Sequence, residues 1–230
     1  MPDADVMRRM PVERAIGLAG IVGTVLLVAV VVVGSSGEPP LDATTAEAAH
    51  YLQSLDQWWI PPLRAIFHIA TMLLLCFMAG LALLLRRAEG EVPVRSTIAM
   101  LSGALFAAYV ILEPTEQAAV HRASELDQSQ LALAYDVTHF GFVNVWLPMG
   151  TFALACGWLI VSTRALPRWL GWWGVLIGIT LGLAQFFWTV GDSFLLLYYL
   201  WLLTTAGLLI RHGRRSSPDQ DRTALTGSTT

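Results

Sequence analysis

Three polar side chains fall close together in "YDVTHFGFVNVW", residues 135 to 146: Asp136, His139 and Asn144. An acid and an imidazole three residues apart share one side of a helix, and the amide follows about a turn later. Such groups can move a proton, bind a cation or hold a ligand through hydrogen bonds. Arg64 and His68, four apart, form a second such pair, and Glu113, Gln185 and Asp192 are further candidates. Together Arg64, His68, Glu113, Asp136, His139, Asn144, Gln185 and Asp192 are the expected ligand-binding residues. Asp136, His139 and Asn144 would line one wall of a polar cup and Arg64 with His68 another. Glu113 and Asp192 would supply counter-charges.

Other chemistries have less support. His68 and His139 with a nearby carboxylate suit a zinc or two-metal site, but neither an H-E-x-x-H nor an H-x-x-x-H spacing is present. Two histidines on separate helices also suit axial haem ligation, yet only one such pair exists. No cofactor and no metal is expected. Cys76 and Cys156 lie in apolar runs and read as packing residues without a disulfide. No Ser-His-Asp order and no glycine-rich phosphate loop occurs.

The elements that carry these residues are apolar. Of the 230 residues, 55% are hydrophobic and only 13% charged, and the mean hydropathy is +0.59. That composition points to a bilayer as solvent. A spanning helix needs roughly 20 apolar residues. Six segments fit or nearly fit: 14–34, 62–85, 96–113, 137–162, 169–190 and 193–210. The first has a longer apolar core than the roughly 7–15 residues of a signal peptide and reads as a retained helix.

All fourteen basic side chains are arginines, which fits a GC-rich bacterial genome. Twelve of them flank one side of the six segments, and only Arg64 and Arg122 flank the other. The excess of positive charge in cytoplasmic loops then puts both termini in the cytoplasm. The fold expected is all-α: a polytopic membrane bundle of six transmembrane helices in one domain, 1–211, with a disordered cytoplasmic tail, 212–230. The net charge of −3 implies no nucleic-acid partner.

Between the first two spans, Thr44 and Glu47 have capping-box spacing. Ala48, Tyr51, Leu52, Leu55 and Trp58 recur at helical spacing, which predicts a short amphipathic helix on the outer membrane surface, with Trp58 and Trp59 at headgroup depth. Pro61 and Pro62 suit the start of the next helix. Gly174, Gly178 and Gly182, with Gly171 nearby, and the stripe Ala15, Ala19 and Gly23 suit close helix packing. The ionisable groups of the spans all fall in their outer halves. The inner halves hold only hydroxyls, among them Ser102, Thr163, Thr204 and Thr205.

The stretch "ALPRWLGWWGVLIGITLGL", 165–183, with Leu-Pro-Arg-Trp-Leu-Gly opening the fifth span, resembles uncharacterised six-helix integral membrane proteins of actinobacteria, grouped as domains of unknown function. The resemblance implies a fold and a membrane location and brings no catalytic residues.

The function expected is binding of a small amphipathic or lipid-like ligand, or of a membrane partner, in an outward-facing polar pocket of a multi-pass cell-membrane protein. An intramembrane lipid-modifying enzyme, with or without a metal, is the alternative, and a small transporter is the third reading. The partners expected are membrane lipids, such a ligand, and a second copy docked through glycine-rich helix faces.

Overall fold

The computed structural model describes residues 12–40, 42–55, 58–111, 115–184, 186 and 191–215, without the side chains of 111, 142, 191–193 and 213–215. Among these residues there are nine α-helices and no strand. They are α1 (Val12–Gly34), α2 (Thr45–Ser54), α3 (Ile60–Glu89), α4 (Val94–Ile111), α5 (Thr115–His121), α6 (Gln128–Asn144), α7 (Trp146–Thr163), α8 (Arg168–Ala184) and α9 (Gly191–Arg215). Five stretches are long and apolar enough to cross a membrane: α1, α3, the stretch opened by α4, that from α6 through α7, and α9. α8 is apolar but shorter, at 17 residues.

Six of these helices close into a ring. α1 packs on α3 and α9, α3 on α4, α4 on α7, α7 on α8, and α8 on α9. α3 also touches α7 across the middle, so the ring encloses a packed core of Leu74, Phe77, Phe152, Leu159, Tyr198 and Trp201. The Trp201 indole donates to the Leu170 carbonyl at 3.0 Å and ties α9 to α8.

Apolar side chains gain little by leaving lipid tails for each other, so close backbone approach must hold such a ring together. α7 and α8 achieve it with Gly150 and Gly157 against Gly171, Gly174 and Gly178. A methyl group at Gly157 would lie 2.6 Å from the Gly171 carbonyl oxygen. Gly182, by contrast, has nothing within 4 Å of that position. On α1 the close-approach stripe is Gly17, Gly20 and Gly23, and the expected Ala15 is exposed. Gly17 meets Ala206 and Ile210 of α9, and Gly20 and Gly23 meet α3 at Phe77, Leu73 and Leu74. One helix wedged between two neighbours presents residues three apart, not four.

Two further expectations change. The helix expected over 137–162 is two helices, broken at Val145. Pro148 has no N–H for the Asn144 carbonyl one turn back, which weakens the helix there. The expected outer-surface helix does form, and its Thr44–Glu47 capping box is complete. Its apolar face, however, meets protein. Ala48, Ala49, Leu52 and Leu55 form a second core with Ile60, Ala119, Leu131 and Tyr135 of α3, α5 and α6. Trp59 joins that core, while Trp58 is 88% exposed. α2, α5 and α6 thus make a cap at one end of the ring. α9 stays helical to Arg215, past the expected end of the domain at 211, and residues 216–230 lie outside the described ones.

Glu89, at the ring's other end, closes the α3–α4 turn. Its carboxylate accepts from Arg95 N at 2.8 Å, Arg95 Nε at 3.1 Å and Ser96 N at 3.0 Å, satisfying the start of α4. Arg95 also donates to Ser162 Oγ of α7 at 2.8 Å.

Candidate functional site

The cap carries the polar chemistry. α6 begins with a reciprocal cap: Asp127 Oδ1 accepts from Gln130 N at 2.8 Å, and Asp127 N donates to Gln130 Oε1 at 3.0 Å. The Ser129 hydroxyl, followed by the Gln130 amide, holds the Asp127 carboxyl below the usual carboxylate range. The start of α6 is thereby set, and the Tyr135 and His139 rings, one turn apart, pack at a tilt of 42° with centroids at 4.4 Å.

Both rings turn toward the segment after α1. The buried Tyr135 hydroxyl donates to the Pro39 carbonyl at 2.5 Å. His139 Nε2 lies 3.3 Å from Glu38 Oε1 and 3.5 Å from the Tyr135 hydroxyl. Tyr51 of α2 meets the Tyr135 ring edge-on at 5.8 Å. Burial, reinforced by the Glu38 and Glu116 carboxylates, holds the Tyr51 phenol well above its usual range. Both carboxylates therefore sit within electrostatic reach of Tyr51, and the cluster is one neighbourhood. Arg64 Nη2 meets Glu116 Oε1 at 2.8 Å and pins α3 to α5 at its edge.

The expected residues thus divide. His139 and Arg64 belong to this cluster, Arg64 through Glu116 just beyond the expected Glu113 and His139 through Glu38, which sequence reasoning did not single out. Asn144 is exposed and donates to the Tyr109 hydroxyl of α4 at 3.3 Å. His68 is half-buried on α3, a turn from Arg64, and Asp136 is exposed. Glu113, Gln185 and the Asp192 side chain lie outside the described residues. Among the described residues no three His, Cys, Asp or Glu side chains come together to hold a metal ion. Tyr135 was legible only as part of the quoted stretch, and Glu38 had no helical pattern to mark it.

The cluster lies at the rim of the apolar ring, not inside it. Arg64 and Arg86 are separated by about 33 Å of α3 at 1.5 Å per residue, slightly more than the roughly 30 Å of a hydrocarbon core. α7 has 18 residues and is long enough to reach from Thr163 to about the level of Trp146. His139, seven residues before Trp146, stands about 10 Å further toward the cap. A carboxylate, an imidazole and a buried phenol in series can bind a hydroxyl or ammonium group, or pass a proton.

A family described as Domain of unknown function (DUF4386) matches residues 94–211, just over half of the chain. The chain belongs to this family. The DUF4386 region runs from the start of α4 into the arginines of α9. It contains Glu116, Tyr135 and His139, whereas Glu38, Tyr51 and Arg64 precede it. No curated protein and no solved structure matches the chain.

Proposed function

We propose that this is a six-span protein of the cell membrane that binds a small amphipathic or lipid-like molecule at its cap, on the face away from the cytoplasm. The Glu38–His139–Tyr135 arrangement carries the reading. It gathers a carboxylate from the segment after α1 and an imidazole and a phenol from α6 where the apolar ring ends, the depth at which an amphiphile places its headgroup.

The arginine partition supports the orientation. Arg14, Arg86, Arg87, Arg164, Arg168 and Arg211 mark the ring end away from the cap, and both termini of the helical region lie there. α8 completes the sixth crossing in this reading. An impermeant maleimide reagent applied to intact cells tests it. With Cys76→Ala and Cys156→Ala in place, a Ser124→Cys protein between α5 and α6 is labelled from outside. Labelling only after lysis overturns the orientation.

Binding is read by titrating the purified protein with a fluorescent lysophospholipid. Glu38→Gln and His139→Gln each weaken binding by about tenfold, the effect of losing one charge-assisted hydrogen bond. Unchanged affinity in both variants removes the cap as the site. The Glu38–His139 contact also favours a second reading, a lipid-modifying enzyme in which His139 serves as general base oriented by Glu38. Turnover of a lipid substrate that is lost in His139→Gln while binding persists separates that reading from simple binding.

A further inference from the structure

α8 presents two unlike faces. Gly171, Gly174 and Gly178 meet α7, and the Leu170 carbonyl takes the Trp201 indole of α9. On the opposite side Trp169, Trp172, Leu176, Ile179 and Leu183 recur three or four residues apart, and all are exposed. α8 packs on α7 and α9, so this stripe faces outward from the ring.

The stripe ends in charge. Arg168 directly precedes Trp169, and Arg164 lies four residues earlier, at most about 14 Å away along the chain. The α3–α4 turn is bound to the same place, because Arg95 donates at 2.8 Å to Ser162 Oγ, two residues before Arg164. The two turns, 86–97 and 162–168, hold five arginines and two acids. One of the acids, Glu89, is already engaged by Arg95 and Ser96. Arg86, Arg87, Arg164 and Arg168 are exposed, and none forms an ion pair among the described residues. Guanidinium groups without a counter-charge, beside two exposed indoles, suit a surface whose negative charge comes from outside the chain.

An anionic phospholipid has the matching parts. Its acyl chains lie along the apolar stripe, the Trp169 and Trp172 rings sit at headgroup depth, and its phosphate accepts from the arginines. A second copy docked in parallel on the same stripe would instead bring the Arg164 and Arg168 pairs of both copies together, and like charges so placed oppose association. We propose that the outer face of α8, with the Arg164–Arg168 turn, binds an anionic phospholipid of the leaflet at the end away from the cap. The site uses none of the cap residues and stands apart from the proposed cap function.

The test follows the thermal midpoint of the full chain in neutral detergent against dihexanoyl phosphatidylglycerol, dihexanoyl phosphatidylcholine and glycerol 3-phosphate. The two lipids share their chains and differ in headgroup charge, and the third probe has no chains. An arginine near an anionic surface strengthens association about fivefold, so phosphatidylglycerol raises the midpoint at about tenfold lower concentration than phosphatidylcholine, or less. Arg164→Gln with Arg168→Gln shrinks that difference to about threefold or below, whereas Arg122→Gln at the cap leaves it whole. Equal potency of the two lipids overturns the proposal, as does a tenfold preference that survives the double substitution. Glycerol 3-phosphate as potent as phosphatidylglycerol makes this a site for free phosphate and overturns the lipid assignment. A lipid-independent dimer in light scattering that Leu176→Ala with Ile179→Ala dissolves gives the stripe to a second copy and overturns it too.

Discussion

Gly157→Ala isolates the contact that holds α7 to α8. An added Cβ would lie 2.6 Å from both the Gly171 oxygen and the Val175 nitrogen, and 2.9 Å from the Gly174 carbonyl carbon. All three are backbone atoms, so no side chain can rotate away. Ordinary contact begins about 0.8 Å further out, and the two helices must separate by a comparable amount. Gly171 and Gly178 approach just as closely and lose contact together with Gly157. Overpacking of this kind costs about 1–3 kcal/mol, against which alanine's better helix propensity returns up to about 1 kcal/mol. The net expectation is a loss of about 1–2 kcal/mol.

Gly182→Ala, on α8, is the control. With nothing within 4 Å of its Cβ position, only the propensity gain of about 0.5–1 kcal/mol remains. The assay is reversible unfolding in mixed micelles at rising denaturing-detergent fraction, followed by far-UV circular dichroism. The two variants should move in opposite directions. A Gly157→Ala protein as stable as the parent would refute glycine packing as the basis of the α7–α8 interface.

Three further outcomes follow from the same geometry. Tyr135→Phe keeps the ring contacts but deletes the bond to the Pro39 carbonyl, and should cost about 0.5–1.5 kcal/mol, seen as faster amide exchange in residues 35–38 and not in α7. The cap should loosen in acid. Hydrogen bonds from the Thr44 amide and hydroxyl lower the Glu47 pKa, and those from Ser129 and Gln130 lower that of Asp127. Such groups stabilise fully above the usual carboxylate range, near pH 4, and lose that contribution as pH falls through their lowered values. Amide exchange in α2 and early α6 should therefore accelerate on acidification, and Glu47→Gln with Asp127→Asn should abolish most of that dependence. Arg164 ends α7 at φ 59°, ψ 24°, a left-handed conformation that costs a non-glycine residue about 1 kcal/mol. Arg164→Gly should raise the unfolding midpoint, and a fall would show that the arginine side chain itself stabilises the turn.

Local chemistry was enough to read much of this protein from its residues. Apolar runs of spanning length predicted the ring helices. Thr44 and Glu47 marked the start of α2, Pro61 and Pro62 that of α3, and the arginines separated the two ends. Each of these signals acts within a few residues or one helix, where spacing alone decides the outcome. What packs on what was settled only in three dimensions. α2 shows an apolar stripe that would suit lipid as well as protein, and only the placement of α5 and α6 beside it decides between them. Glu38 and His139 are about a hundred residues apart, and their contact depends on where the segment after α1 runs relative to α6. Arg64 and Glu116 are 52 residues apart, and only the placement of α5 beside α3 pairs them. Hydrogen bonds of a few ångströms respond to rotations and offsets that leave hydrophobic periodicity unchanged, so the elements were visible in the residues while the site waited on their packing.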